Sequence, residues 1–217
     1  VYLKFGQQVE AGNNLLIDES HDPKQVVPLR MAPFVLGGTV VSHLFGASVG
    51  REGTAVQMGG ALADQLTHLF KLHPADRRVV LMAGISAGFA SVFGTPLAGA
   101  VFALEVLAIG RLRLEALLPC LLAAVVADQV GLWWGVQHTP YALTQVPHLT
   151  VWLLVAVALA GAMFGFTGRL FAHSTHALSG WMKKHIAYAP LRPFLGGAVI
   201  AAVVMWGSFD RYIGLGI

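Results

Sequence analysis

The sequence predicts an all-α, polytopic membrane protein built of short and interrupted helices. Three observations carry this. Hydrophobic residues fill 56% of the 217 positions and charged residues only 12%, where a soluble domain carries about 25% charged residues; the mean hydropathy is +0.67. The apolar residues fall in runs, at 31–49, 54–70, 79–93, 96–109, 114–135, 149–172 and 194–207, and several are shorter than the roughly 20 residues of a simple membrane span. Glycine is abundant at 25 residues and interrupts many of the runs, as in membrane proteins whose helices approach closely or break.

The elements follow in order. Residues 11–19 read AGNNLLIDE, where Gly12, Asn13 and Asn14 precede an apolar turn; asparagine is a good N-cap, so a helix is expected to start there. A first apolar helix over 31–49 is followed by the break Gly50-Arg51-Glu52-Gly53, and a second, begun by Thr54, runs over 54–70. The basic loop KLHPADRR (71–78) separates it from 79–93 and 96–109; Arg111 and Arg113 precede 114–135, and the connection 136–148 contains no Lys or Arg. The last two runs, 149–172 and 194–207, flank Lys183, Lys184 and Arg192. Positive residues mark cytoplasmic loops. Loops 18–30 (with Lys24 and Arg30), 71–78, 110–113 and 180–193 are therefore expected inside and 136–148 outside. Strict alternation gives the same sides and turns the 50–53 break outward. No short tandem repeat is present.

The net charge of +3 and a pI near 9.3 arise from residues scattered over these loops. They form no single patch, which argues against a nucleic-acid partner. The one cysteine, Cys120, lies in an apolar run, so no intrachain disulfide can form, and it is expected to be a small buried hydrophobe. The chain opens on Val1 and stops at YIGLGI, and it is expected to be a fragment of a longer protein.

Glu52 is the residue that most needs a reason. A carboxylate at bilayer depth costs roughly 2.5–3.5 kcal/mol on insertion scales. Two helix N-termini are expected inside the membrane, at 11–19 and at 50–57. Each offers unpaired N–H groups and a positive dipole end, which is a ready anion site. Gly12, Asn13, Asn14, Gly53 and Thr54 are the candidate donors. Glu52 beside them can compete as a built-in anion when ionised and leave when protonated, coupling proton to anion movement. The plainer alternative is an interfacial pair with Arg51, although adjacent residues are poorly placed to face each other. Arg51, Gln57, on the expected first turn after Glu52, and Glu105, near a cytoplasmic helix end, are accessory candidates. Asp128 is expected to be a cap or interface contact near an outer helix end. His173 and His176 could share a helix face, but further ligands are lacking, so no metal and no cofactor is expected. No His-Glu-x-x-His pattern or nucleophile–base pair points to an enzyme. Trp133, Trp134, Trp152 and Trp181 lie near segment ends, as interfacial anchors do.

GREGTAVQMGG resembles the Gly-Arg-Glu-Gly-Pro signature of the CLC family of anion channels and anion/proton antiporters, and GISAGFASVFGTPLAGAVFALE (84–105) resembles that family's next block. The likeness is strong over about 6–107 and weaker to 217. It implies a broken-helix inverted-repeat fold, with 1–147 as most of the first repeat and 148–217 as the start of the second. It also implies a homodimer through 96–109 and 114–135, a multi-pass protein of the inner (plasma) membrane, and an anion site completed by residues beyond Ile217. Three departures resemble the fluoride-exporting clade. The serine of the family's Gly-Ser-Gly-Ile-Pro block is absent from Ala11-Gly12-Asn13-Asn14, the usual proline after the gating glutamate and glycine is Thr54, and Val106 stands where chloride/proton antiporters carry an inner glutamate. By that resemblance Glu52 is the gating, proton-carrying group and Asn13 the side chain at the anion. An amide NH2 offers two donors where a hydroxyl offers one, which suits small, strongly hydrated fluoride. The expected function is proton-coupled fluoride export, with a chloride/proton antiporter or a passive anion channel as the alternatives.

Overall fold

The computed structural model describes residues 6, 9, 11–21, 25–47, 49–106, 114–138 and 148–207. Lys24, the basic loop 110–113, most of the 136–148 connection and the closing YIGLGI lie outside the described residues. The chain forms two compact units, one within residues 1–139 and one within 140–211.

The first unit contains α1 (Asn13–His21), α2 (Met31–Leu44), α3 (Glu52–Leu69), α4 (Pro74–Phe93), α5 (Pro96–Val106) and α6 (Leu117–Trp133), the last led in by a 3-10 turn at Leu114–Ala116. The ends obey local chemistry. At α4, the His73 side chain accepts a hydrogen bond from the Ala75 N–H at 3.3 Å and Pro74 fills the first helical position, where its missing N–H costs nothing. Gly94 ends α4 in the left-handed region at φ 66° and donates to the Ala90 carbonyl at 2.8 Å, the glycine-dependent stop. Thr95 then leads into Pro96, and α5 begins.

Helix α4 is the centre of the unit and packs on α1, α3, α5 and α6. Its closest approach is to α3, and small residues permit it. Ala55, Gly59 and Ala63 on α3 face Gly84 and Gly88 on α4. A Cβ at Gly59 would collide with the Gly84 carbonyl, and one at Gly88 with the Ala55 carbonyl. Small residues four apart on facing helices bring backbones together and replace the hydrophobic drive that a bilayer does not supply. Gly99 on α5 repeats the device, since its Cβ would stand 2.9 Å from the Ser86 carbonyl. Ser86 in turn donates to the Cys120 carbonyl at 2.9 Å, tying α4 to α6. The core holds few large side chains, Leu16, Met31, Leu81 and Ile85 among them, and Cys120 is fully buried there as expected.

The second unit contains α7 (Val151–His185) and α8 (Leu191–Gly207). The Thr150 hydroxyl caps α7 by accepting from the Leu153 N–H at 3.2 Å, and Lys183, Lys184 and His185 occupy its last turn, where cations meet the negative end of the dipole. No side chain of α7 or α8 is buried within this chain. Among the described residues, Leu114–Trp133 and Val151–His185 are long and apolar enough to cross a membrane.

Several expected boundaries move. α3 begins at Glu52, not Thr54, because the glycine pair is compatible with helix start and the carboxylate favours a first turn. Gln57 consequently falls on the second turn. The expected cytoplasmic loop 180–193 contracts to 186–190, since α7 continues through polar residues to His185. Its 35 residues span about 52 Å, more than the roughly 30 Å hydrocarbon core. Asp128 is neither cap nor terminus: it is buried inside α6 and accepts from the Gln129 amide at 3.5 Å.

Candidate functional site

Helix α1 lies along α3 with both N-termini at the same end, and three contacts set the register. The Asn13 Nδ2 stands 3.5 Å from where a Gly53 Cβ would be, and the Gln57 Nε2 3.3 Å from where a Gly12 Cβ would be. One turn further along α1, Leu16 fits the notch left by Gly60, whose Cβ would meet its methyl carbons at 2.8 Å. Gly12 turns the chain into α1 at φ +58°, a conformation that costs a side-chain-bearing residue. Gly12 is therefore the flanking residue and Asn13 the first helical one, so the expected asparagine N-cap is corrected: the amide is free to point along the helix end rather than to bond its own turn.

At α3, the Ala55 N–H donates to the Arg51 carbonyl at 3.1 Å and opens the helical ladder. The N–H groups of the preceding turn belong to the unpaired set of a helix start. The Glu52 carboxylate lies against Gly50, where any Cβ would collide with its Oε2. Among the described residues no ion pair joins Arg51 to Glu52, and Arg51 is exposed. Glu52, Gly53, Thr54 and Gln57 are half-buried, whereas Asn13 and Asn14 are exposed. The structure thus brings together Gly12, Asn13, Gly53 and Gln57, with Glu52 and Thr54 on the same turn as Gly53. Glu105 is exposed near the end of α5, a helix packed on α4 and α6, and takes no part in this meeting.

One member was not legible beforehand. The hydroxyls of Thr54 and Thr39, the latter on α2, are 2.5 Å apart. Beside them a cleft of about 210 Å³ is lined by Val35, Gly38, Thr39, Ser42, Val49, Thr54 and Gln57. The Thr54 hydroxyl is thus held toward α2, while its backbone N–H stays with the helix end. Thr39 lies fifteen residues upstream in an apolar run, and no spacing rule connects the two. The variant Thr39→Val strands the Thr54 hydroxyl and is expected to cost about 1 kcal/mol. Thermal unfolding of Thr39→Val, Thr54→Val and the double variant checks it; additive losses would show the two hydroxyls to be uncoupled.

Two positively polarised helix ends and an amide side chain, beside a carboxylate on one of those ends, can bind a small anion by N–H donation. The same carboxylate can compete for that position.

The chain is similar to known proteins over its length. The family model described as voltage gated chloride channel matches residues 1–216. A chloride/fluoride channel protein of Pseudomonas syringae pv. tomato is 65% identical over 223 residues, covering 100% of this chain and 49% of that protein. The H(+)/Cl(-) exchange transporter ClcA of Vibrio parahaemolyticus is 35% identical over 147 residues, 65% of this chain and 31% of that protein. A crystal structure of a CLC-type fluoride/proton antiporter superposes with a TM-score of 0.93 at 36% identity, covering 99% of this chain and 54% of that one. The chain spans about half the length of the P. syringae relative and of the solved antiporter.

Proposed function

Because this chain belongs to the voltage gated chloride channel family, we propose that it is part of a secondary transporter that exports fluoride in exchange for protons across the cytoplasmic membrane. The observation that carries this is the meeting of Asn13 with Gly53 at two parallel helix N-termini, with Glu52 on the same turn. Fluoride takes the N–H groups of Gly53 and Thr54 and the Asn13 amide in place of water. Ionised Glu52 competes for those donors; on taking a proton it becomes neutral, releases them, and the anion occupies the site. Return of Glu52 to the donors gives up the proton. Proton movement is thereby coupled to anion movement in the opposite direction.

Fluoride as cargo is supported by the relative named for chloride and fluoride and by the solved fluoride/proton antiporter. Chloride is the competing cargo, supported by the relatives named as chloride exchangers, and Val106 in place of an inner glutamate speaks against it. The exposed apolar residues Leu118, Leu122 and Val126 form one stripe on α6, and with Leu97 and Val101 on α5 they offer the surface for lipid and for a second subunit.

The test uses the full-length protein in proteoliposomes, recording fluoride and chloride efflux with and without a proton gradient. Fluoride efflux far above chloride that drives uphill proton movement is expected. Equal chloride efflux would transfer the protein to the chloride branch, and flux indifferent to the proton gradient would make it a channel. In the same assay Asn13→Ser, which exchanges two donors for one, is expected to lower the preference for fluoride and to weaken growth in fluoride. Unchanged resistance would remove Asn13 from the selectivity determinants.

A further inference from the structure

The far end of α1 carries the one extensive buried ionic cluster among the described residues, and no feature of the transport reading uses it. Arg77, at the start of α4, donates through Nε to the Asp64 Oδ1 at 2.6 Å and through Nη2 to Oδ2 at 2.9 Å. Its Nη1 reaches the Glu19 Oε2 at 3.3 Å, and Nη2 also donates to the Gln25 carbonyl at 2.7 Å. Asp64, on α3, has a wholly buried side chain; it accepts further from the Val27 N–H at 2.7 Å and the Thr67 hydroxyl at 3.0 Å. Both carboxylate oxygens of Glu19, near the end of α1, accept from the Gln25 N–H, at 3.1 and 3.0 Å. The hydrogen bond to Asp64 raises the pKa of Arg77 above its ordinary value, so the bridging cation is permanent.

The cluster has a mechanical consequence. α1 has nine residues and almost no net hydrophobicity, too short to be stable alone, and its deepest apolar anchor is Leu16. Its position along α3 is therefore set by the Leu16–Gly60 notch in the middle and by Glu19 at one end. Asn13 is at the other end, six residues or about 9 Å away. Arg77 holds two carboxylates from two helices that would otherwise repel each other; weakening that bridge lets the end of α1 swing, and the lever acts on Asn13.

We propose that the Glu19–Arg77–Asp64 cluster is a positioning device for the anion site, registering the N-terminus of α1 against that of α3 from the opposite end of the helix. Glu19 and Arg77 are positioning residues, since neither lies among the donors. The proposal rests on the fluoride/proton reading for its transport readout but not for its geometric one.

Glu19→Gln is the informative variant, because it keeps shape and leaves the buried Asp64–Arg77 pair intact. In proteoliposomes of the full-length protein its KM for fluoride is expected to rise about tenfold with little change in maximal rate, as a misplaced binding group does, and Glu19→Asp is expected to recover part of the loss. Arg77→Lys, whose ammonium cannot reproduce the guanidinium fork, also disturbs the buried Asp64 pair, so it is expected to raise KM likewise and to lower the thermal unfolding temperature, which Glu19→Gln should not. In parallel, an Asn13→Cys, Gly53→Cys pair in a Cys120→Ala background is oxidised, with and without Glu19→Gln. Slower disulfide formation in the presence of Glu19→Gln supports the proposal even if the wild-type protein moves no fluoride, an outcome that would instead overturn the function. An unchanged cross-linking rate, or a fall in maximal rate with KM constant, overturns the positioning role.

Discussion

Gly88→Leu is expected to leave no folded protein. The Cβ of any residue at 88 would stand against the carbonyl and carbonyl carbon of Ala55 and the N–H of Val56 at 3.2 Å, so its neighbours are backbone and cannot rotate away. Accommodating it means separating α3 from α4, the contact around which the first unit is organised. Overpacking of a core costs about 1–3 kcal/mol when side chains can shift, and here they cannot, so the loss should exceed that range. Gly59→Ala and Gly84→Leu meet the same obstacle from the facing surfaces. Gly37→Ala is the control: among the described residues nothing stands within 4 Å of its Cβ, and in mid-helix alanine is favoured over glycine by about 1 kcal/mol. Elution profile and thermal stability in detergent distinguish the two. A monodisperse, wild-type-like Gly88→Leu protein would mean that the helices do not cross as described.

The second large effect concerns Glu52→Gln. Glutamine keeps the shape of the side chain but can neither ionise nor carry a proton. Fluoride-driven uphill proton movement is expected to fall about a hundredfold or more, the scale on which a positioned proton-transfer group acts, to the background of empty vesicles. Because Glu52 lies on Gly50 and forms no ion pair with Arg51 among the described residues, the substitution should leave the fold alone, and the thermal unfolding temperature is the check. Proton movement at the wild-type rate in Glu52→Gln would exclude this residue as the carrier. Unfolding of the variant would show instead that the carboxylate holds the α2–α3 connection together.

Both experiments probe different layers of what a chain encodes. The membrane class, the helical composition and the break at 50–53 follow from composition and local pattern, because a bilayer forces the backbone to satisfy its own hydrogen bonds. Pro74, Gly94 and Pro96 mark the limits of α4 and α5 for equally local reasons. The ends of α7 were less legible, since the run of apolar residues stops at 172 while the helix continues to His185. Hydropathy reports where lipid is suited, not where the backbone ladder ends.

The site was legible in part. Its glutamate and the two helix starts were read from residues 11–19 and 50–57, and the structure brings Gly12, Asn13 and Gly53 together as those residue types suggested. It left Asn14 and Glu105 outside that meeting, moved the start of α3 back to Glu52 and made Asn13 a helical residue instead of a cap.

By itself, then, the sequence determined where helices can start and that Glu52 needs a reason to be in a membrane, and it offered candidate donors beside it. Only the tertiary structure decided that α1 lies parallel to α3, that Thr54 is tied to Thr39, and that Arg77 holds both Asp64 and, 58 residues away, Glu19. The physical reason is range. Caps, dipoles and turn glycines act within one or two turns of the chain. A hydrogen bond between helices, or a backbone passing over a glycine, depends on how whole helices cross, and no local spacing records that.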